Sequence, residues 1–343
     1  MESPSTGEGS MKLVWSPRYE ADLLGHIFPV VKYRLTIQAA LKVGLFSESD
    51  VIEAPRPSRE DLLLVHTPEY IDDLSNLKWT HRTQRSEMAL TREIVEAYIY
   101  AAGGSMEAGK LALDGGICVH VGGGFHHAFA DHAEGFCYVN DVAVAIARLR
   151  REGLASRAAV IDCDLHQGNG TARIFQGEPD VFTFSIHQEN NYPVKEKSDL
   201  DIGLPDGADD EAYLRELAAV YEILDGHRPD IVFYLAGADP YVGDQLGGLA
   251  LTKEGLRRRD RLVLQACRAR GISVAVVFAG GYAADVMDDV DIHVATISEA
   301  RRALSQAPAE ALEKAGEEAP ENGPGKAPDK GPEKGPKNVE PET

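Results

Sequence analysis

The chain has 343 residues, 43% of them hydrophobic, enough to bury one large core or two smaller ones. Its formal charge is −20, and the stretch from Arg301 onward, with 7 basic and 9 acidic residues, contributes only −2, so the body repels nucleic acid and acidic lipid and attracts cationic ligands such as lysine-rich peptides or polyamines. No apolar run approaches the roughly 18 residues of a membrane span, and residues 1–10 lack the apolar centre of a signal peptide.

Runs of β-branched and apolar residues predict strands at 12–15, 117–121, 158–163, 181–186, 231–236 and 274–279. Most are nearly continuous in apolar character, the pattern of parallel strands covered on both faces. Amphipathic helices are predicted between them. Asp141 is the expected N-cap of one, with Val142, Ile146 and Leu149 on one stripe and Gly153 as its stop. Asp209 or Asp210 opens another whose Leu214, Leu217, Tyr221 and Leu224 face inward, and a third runs from a Thr252 cap to Gly271. Regular alternation of this kind builds βαβ units and a parallel sheet in an α/β domain. Residues 1–10 are expected to be a flexible N-terminus, 11–304 a single catalytic domain, and 305–343, rich in Pro, Gly, Glu and Lys and without aromatics, a disordered tail. The cysteines (Cys118, Cys137, Cys163, Cys267) form no CxxC pair and lie in or beside apolar runs, as reduced thiols of a soluble cytoplasmic protein do.

Three strand ends carry chemistry-bearing residues: GGGFHHA at 122–128, DCDLHQGNG at 162–170 and GADP at 237–240. Open α/β sheets bind ligands beyond the carboxyl ends of their strands. Asp164 and His166 are two apart, so both side chains point the same way. With Asp239 they offer one imidazole nitrogen and two carboxylates, a set of three that leaves room for water, as in a catalytic zinc site. Such an oxygen-rich set also accepts Fe(II), Mn(II) or Co(II). His126 and His127 follow a triple-glycine turn that lets the backbone pass close to a ligand. They are candidates for the base that activates water and the acid that protonates a leaving amine, with Asp162 as orienting carboxylate. Tyr282, after Gly280-Gly281, is placed to polarise a scissile carbonyl and stabilise its oxyanion.

Taken together in order, GGGFHHA, GFCYVNDVA (135–143), DCDLHQGNG, FSIH (184–187), GADP and GGY resemble the zinc-dependent histone deacetylase family, with QGNG most similar to its class IV branch and bacterial homologues. The resemblance spans roughly residues 12–300. It implies the arginase/deacetylase fold, a central eight-stranded parallel sheet flanked by helices. It also implies hydrolysis of an Nε-acyl-lysine-type amide, in peptides, proteins or small acylated amines, by metal-activated water. Carried over residue by residue, it assigns zinc to Asp164, His166 and Asp239, the catalytic pair to His126 and His127, and the carbonyl-polarising hydroxyl to Tyr282. Asp162 is placed behind His126. An acyl tunnel is walled by Gly135, Phe136 and Tyr192, with Leu246 at its rim. A structural potassium ion is implied at Asp162, Asp164, His166, Ser185 and Ile186, and a second monovalent site by backbone around Phe175 and Val181.

The chain departs from the family pattern in three places. Asn169 stands where many members have an aspartate, and Tyr192 where many have phenylalanine. No clear counterpart exists for a substrate-gripping aspartate on an early loop, where Asp72 and Asp73 fall in a helix-like stretch. Acetylpolyamines or other small acylated amines are alternative substrates. An arginase-like dimanganese enzyme would need more carboxylates at the strand ends. A non-catalytic acyl-lysine-binding scaffold would be favoured by loss of a ligand or of the tyrosine.

Overall fold

The computed structural model describes residues 11–306, so the expectations for the first ten residues and for the tail from 307 onward lie outside the described residues. Its strands are β1 (Lys12–Trp15), β2 (Val51–Glu53), β3 (Ile117–His120), β4 (Ala158–Asp162), β5 (Val181–Gln188), β6 (Leu200–Leu204), β7 (Ile231–Leu235) and β8 (Ser273–Val277). The helices are α1 (Val31–Lys42), α2 (Arg59–Leu62), α3 (Pro68–Ser75), α4 (Arg92–Gly115), α5 (Asp141–Arg151), α6 (Asn169–Ile174), α7 (Asp210–Leu217), α8 (Ala219–His227), α9 (Lys253–Ala269) and α10 (Val286–Ser305). All pairings are parallel, in one eight-stranded sheet of order β2-β1-β3-β8-β7-β4-β5-β6.

The inner strands bear out their continuous apolar reading: every residue of β3, β4 and β7 is buried. Two strands absent from the sequence reading, β2 and β6, form the sheet's edges. They are short or polar there, with Glu53, Asp201 and Gly203 exposed, because an edge strand need not be apolar on both faces.

Helix starts largely follow the expected caps, with one correction. Asn140, not Asp141, caps α5, its side chain accepting from Ala143 N at 3.0 Å. Asp141 is instead the first helical residue and is fully buried. Val142, Ile146 and Leu149 form the buried stripe as expected. Asp209 caps α7, and the segment breaks at Ala218 into α7 and α8. Leu214, Leu217 and Leu224 are buried there while Tyr221 is only half-buried. Thr252 caps α9 through Gly255 N at 2.9 Å. Among the described residues, no helix is long and apolar enough to cross a membrane.

Candidate active site

Four strand ends converge. The segment after β4 carries Asp164 and His166, that after β7 carries Asp239, that after β3 carries His126 and His127, and that after β8 carries Tyr282. Ligand atoms of Asp164, His166 and Asp239 all lie within 4.8 Å of one another, and all three residues are buried. His166 Nδ1 sits 3.3 Å from Asp164 Oδ1 and 3.2 Å from Asp239 Oδ2. Backbone amides hold the carboxylates in this aim: Gly280 N donates to Asp164 Oδ2 at 2.7 Å, and Leu165 N to Asp239 Oδ1 at 3.0 Å. Gly237 and Gly280 make the approach possible. A Cβ at 237 would stand 2.6 Å from Asp239 Oδ1, and one at 280 would collide with Asp239 Oδ2.

Two carboxylates buried this close repel each other, and among the described residues neither pairs with a lysine or arginine. Burial, then the charge of Asp164, pushes the Asp239 carboxyl up to about 8. Burial opposes a charge on His166, but its hydrogen bonds to Asp164 and Asp239 outweigh that and raise it to about 10. The cluster therefore demands a positive charge at its centre. One nitrogen and two carboxylate oxygens aimed at one point fit a divalent transition ion in place of that proton.

Beside this cluster, His126 Nδ1–H donates to Asp162 Oδ2 at 2.7 Å, and His127 Nδ1–H to Asn169 Oδ1 at 2.8 Å. The two Nε2 atoms face each other at 3.1 Å. Burial disfavours charge on both rings, yet the Asp162 and Asp164 carboxylates raise His126 to about 9. His127 is held well below the ordinary value by burial and by the charges of His126 and His166, which outweigh the Asn169 hydrogen bond and the charge of Asp164. One ring is thus a proton carrier and its neighbour a free base at neutral pH.

Tyr282 is buried, with its backbone N–H donating to Asp244 Oδ2 at 2.8 Å and its ring 6.5 Å from that of His166. A cavity of about 20 Å³ lies among His126, His127, Phe136, Asp164, His166 and Tyr282. Toward the surface, Tyr192 sets its ring edge-on to His127 at 5.2 Å, and its hydroxyl donates to Glu134 at 3.3 Å. Gly135 passes so close that a Cβ there would stand 2.5 Å from Tyr192 Oη. Phe136 faces Tyr282 at 6.1 Å. Leu246 does not line the cavity; it is half-buried, its carbonyl accepting from Asn191 Nδ2 at 3.0 Å. For the implied potassium site, the structure places Asp162 opposite Ser185 across β4 and β5, with Ile186 buried beside it. Of the two early aspartates, Asp73 is buried against Arg82, and the exposed Asp72 pairs with Arg59 at 2.7 Å.

The triple glycine makes room for tightly packed neighbours, and its last member, Gly124, also lines the cavity. A Cβ at Gly122 would press on Tyr19 and His120, one at Gly123 on Asp141 and His120, and one at Gly124 on the Ala279 backbone. Lys32 adds a contact that the motifs do not announce. From α1 its ammonium donates to the carbonyls of Ala279, Gly280 and Gly281 at 3.2, 2.9 and 3.2 Å, holding the turn that precedes Tyr282. A lysine on a helix leaves no sequence signal of such a destination.

Residues 26–297 match the family described as the histone deacetylase domain. An uncharacterized protein of Picosynechococcus sp. is 44% identical over 271 residues, covering 78% of this chain and 90% of that protein. Histone deacetylase RPD3 of Saccharomyces cerevisiae is 30% identical over 77% of this chain and 67% of its own length, and the acetoin utilization protein AcuC of Bacillus subtilis 29% over 78% and 76%. Among solved structures, the HDA15 HD domain superposes with a TM-score of 0.72 at 24% identity, covering 89% of this chain and 94% of that one. The acetylpolyamine aminohydrolase of Burkholderia pseudomallei gives 0.71 at 22%, covering 85% and 98%. At those identities the likeness is one of fold, and the fold is the arginase/deacetylase fold that the motifs imply. With the family match extending over most of its length, this chain belongs to the histone deacetylase family.

Proposed function

We propose that this protein is a zinc-dependent amidohydrolase that removes acetyl or longer acyl groups from the Nε-amine of lysine or from a related acylated amine. The observation that carries the reading is the Asp164–His166–Asp239 cluster lying against a histidine pair with opposite proton affinities. Membership of the deacetylase family supports it, as do relatives named as deacetylases.

A divalent ion held by Asp164, His166 and Asp239 would polarise the scissile carbonyl and acidify the attacking water. The protein's own residues do the rest. Water entering the cavity replaces the contact between the two histidines and hands its proton to neutral His127 Nε2. His126, kept protonated by Asp162, holds positive charge beside the developing oxyanion, and Tyr282 donates a hydrogen bond to it from the opposite side. The proton on His127 then passes to the leaving amine, so that one ring serves as base and acid in turn. Phe136 and Tyr192 wall the approach for the substrate's alkyl chain. Acetyl-, longer acyl-lysine peptides and acetylpolyamines, assayed side by side with zinc-loaded protein, test the reading. Hydrolysis of none of them overturns it, and the preferred member names the substrate.

Asn169 gives a pH test. Its amide orients His127 but brings no negative charge to stabilise the imidazolium. Asn169→Asp is expected to raise the His127 pKa. More of the base is then protonated on the acid side, so the acidic limb of the kcat/KM profile moves to higher pH while zinc content stays constant. Profiles that superimpose would leave Asn169 an orienting role alone.

A further inference from the structure

The segment NDVA in GFCYVNDVA has no part in the chemistry above, yet its first two side chains reach the backbone of the histidine pair from both ends. Asp141 is fully buried and accepts from the two amides just before the pair: Gly124 N at 3.0 Å and Phe125 N at 2.7 Å. Asn140, also fully buried, donates from Nδ2 to the carbonyl just after the pair, Ala128 O, at 3.1 Å. The same Nδ2 lies 3.4 Å from His126 O and donates to Thr171 Oγ1 at 3.0 Å, and Thr171 donates from its backbone N to His126 O at 3.0 Å. Two neighbouring side chains at one helix start thus bind both flanks of the segment 124–128, one as acceptor and one as donor.

The carboxylate is itself held from behind. Ser105 Oγ–H donates to Asp141 Oδ2 at 2.5 Å, Ser105 Oγ lies 3.0 Å from His120 Nδ1, and Tyr19 Oη lies 2.8 Å from His120 Nε2. Burial holds His120 down to about 3, so the ring is neutral. The directions then agree along the chain: Tyr19 donates to His120, His120 to Ser105, and Ser105 to Asp141. Space for this buried line is provided by glycines. A Cβ on Gly104 would collide with Tyr19 and His120, and one on Gly123 would stand 2.5 Å from Asp141 Oδ2.

We infer that Asn140 and Asp141 are positioning residues that clamp the backbone of residues 124–128, and so fix where the His126 and His127 rings meet the cavity. Neither touches the cavity, so they act through the histidines. The inference rests on the deacetylase reading only for its kinetic readout. Misplacing a catalytic group by about 1 Å can cost roughly 100-fold in rate.

Two near-isosteric changes test it. Asn140→Asp keeps an oxygen to cap α5 but replaces the donor to Ala128 O with an acceptor, so a pure capping role predicts no effect. Asp141→Asn removes one acceptor from three donors. The clamp predicts that each lowers kcat by about 10- to 100-fold, with KM within about twofold and metal content unchanged. It also predicts faster amide hydrogen exchange confined to residues 124–128. Unchanged exchange and kcat in both variants overturn the clamp, and so does faster exchange spread evenly over α5 and the sheet, which marks a structural role alone. Should the protein hydrolyse none of the amides, the proposed function falls while the exchange pattern still decides the clamp. If either variant does not fold, Thr171→Val removes the hydroxyl that accepts from Asn140 Nδ2 at 3.0 Å and donates to His126 O at 3.3 Å, and unchanged exchange at 124–128 overturns the inference.

Discussion

Replacing His166 with alanine is expected to abolish metal binding and turnover together. The wild-type chain is expected to carry about one transition ion, and the variant close to none, with activity at background. The magnitude follows from what remains. Without the imidazole, Asp164 and Asp239 face each other as two buried carboxylates with nothing between them. The Asp239 carboxyl, already raised to about 8 by burial and by Asp164, then takes a proton more readily and is lost as an anionic ligand. Loss of affinity should therefore exceed by far the roughly 10- to 100-fold that changes to outer hydrogen-bond partners cost. Metal analysis of the purified variant beside an assay on the best wild-type substrate checks this. Full activity in a metal-free preparation would end the metal reading.

Tyr282→Phe is the second large effect, a fall in kcat of roughly 10²–10³-fold, or about 2.7–4 kcal/mol of transition-state stabilisation. The hydroxyl can serve as a donor because it keeps its proton: burial, then the charges of Asp164 and Asp239, drives its pKa well above the usual value. Phenylalanine retains the ring packing against Phe28 and Phe136 and the backbone bond to Asp244, so fold and metal content should survive. The effect isolates one oxygen. An unchanged kcat would assign Tyr282 to packing.

What could be read from the amino acids, and what could not, divides along physical lines. The inner strands were legible because burial on both faces demands an unbroken apolar run, as at Ile231–Leu235. The edges were not: Val51–Glu53 is too short for a pattern, and Leu200–Leu204 interleaves exposed Asp201 and Gly203. The ligand cluster and the histidine pair were legible because their residue types sit just past strand ends, where the topology must bring them together. Lys32 was not, since its partners are backbone carbonyls as far as 249 positions away, and carbonyls are the same in every residue. In sequence Asp141 has the mark of a helix cap, because a carboxylate before an amphipathic stripe has that meaning in most sequences. Only the fold shows that its neighbour took the cap and left it free for Gly124 and Phe125.

The place of β8 in the sheet bears on how the protein is made. Among the described residues it is the last strand in chain order, yet it occupies an interior slot, bonded to β3 on one side and β7 on the other. A nascent chain short of residue 273 holds two half-sheets, β2-β1-β3 and β7-β4-β5-β6, each ending in an apolar strand with unpaired amides and carbonyls. Those raw edges are templates for pairing with other chains until β8 arrives to join them. Tyr282 lies just beyond the same strand. The sheet's closure and the placement of Tyr282 therefore depend on one late stretch of chain, and a chain cut before it would lack both.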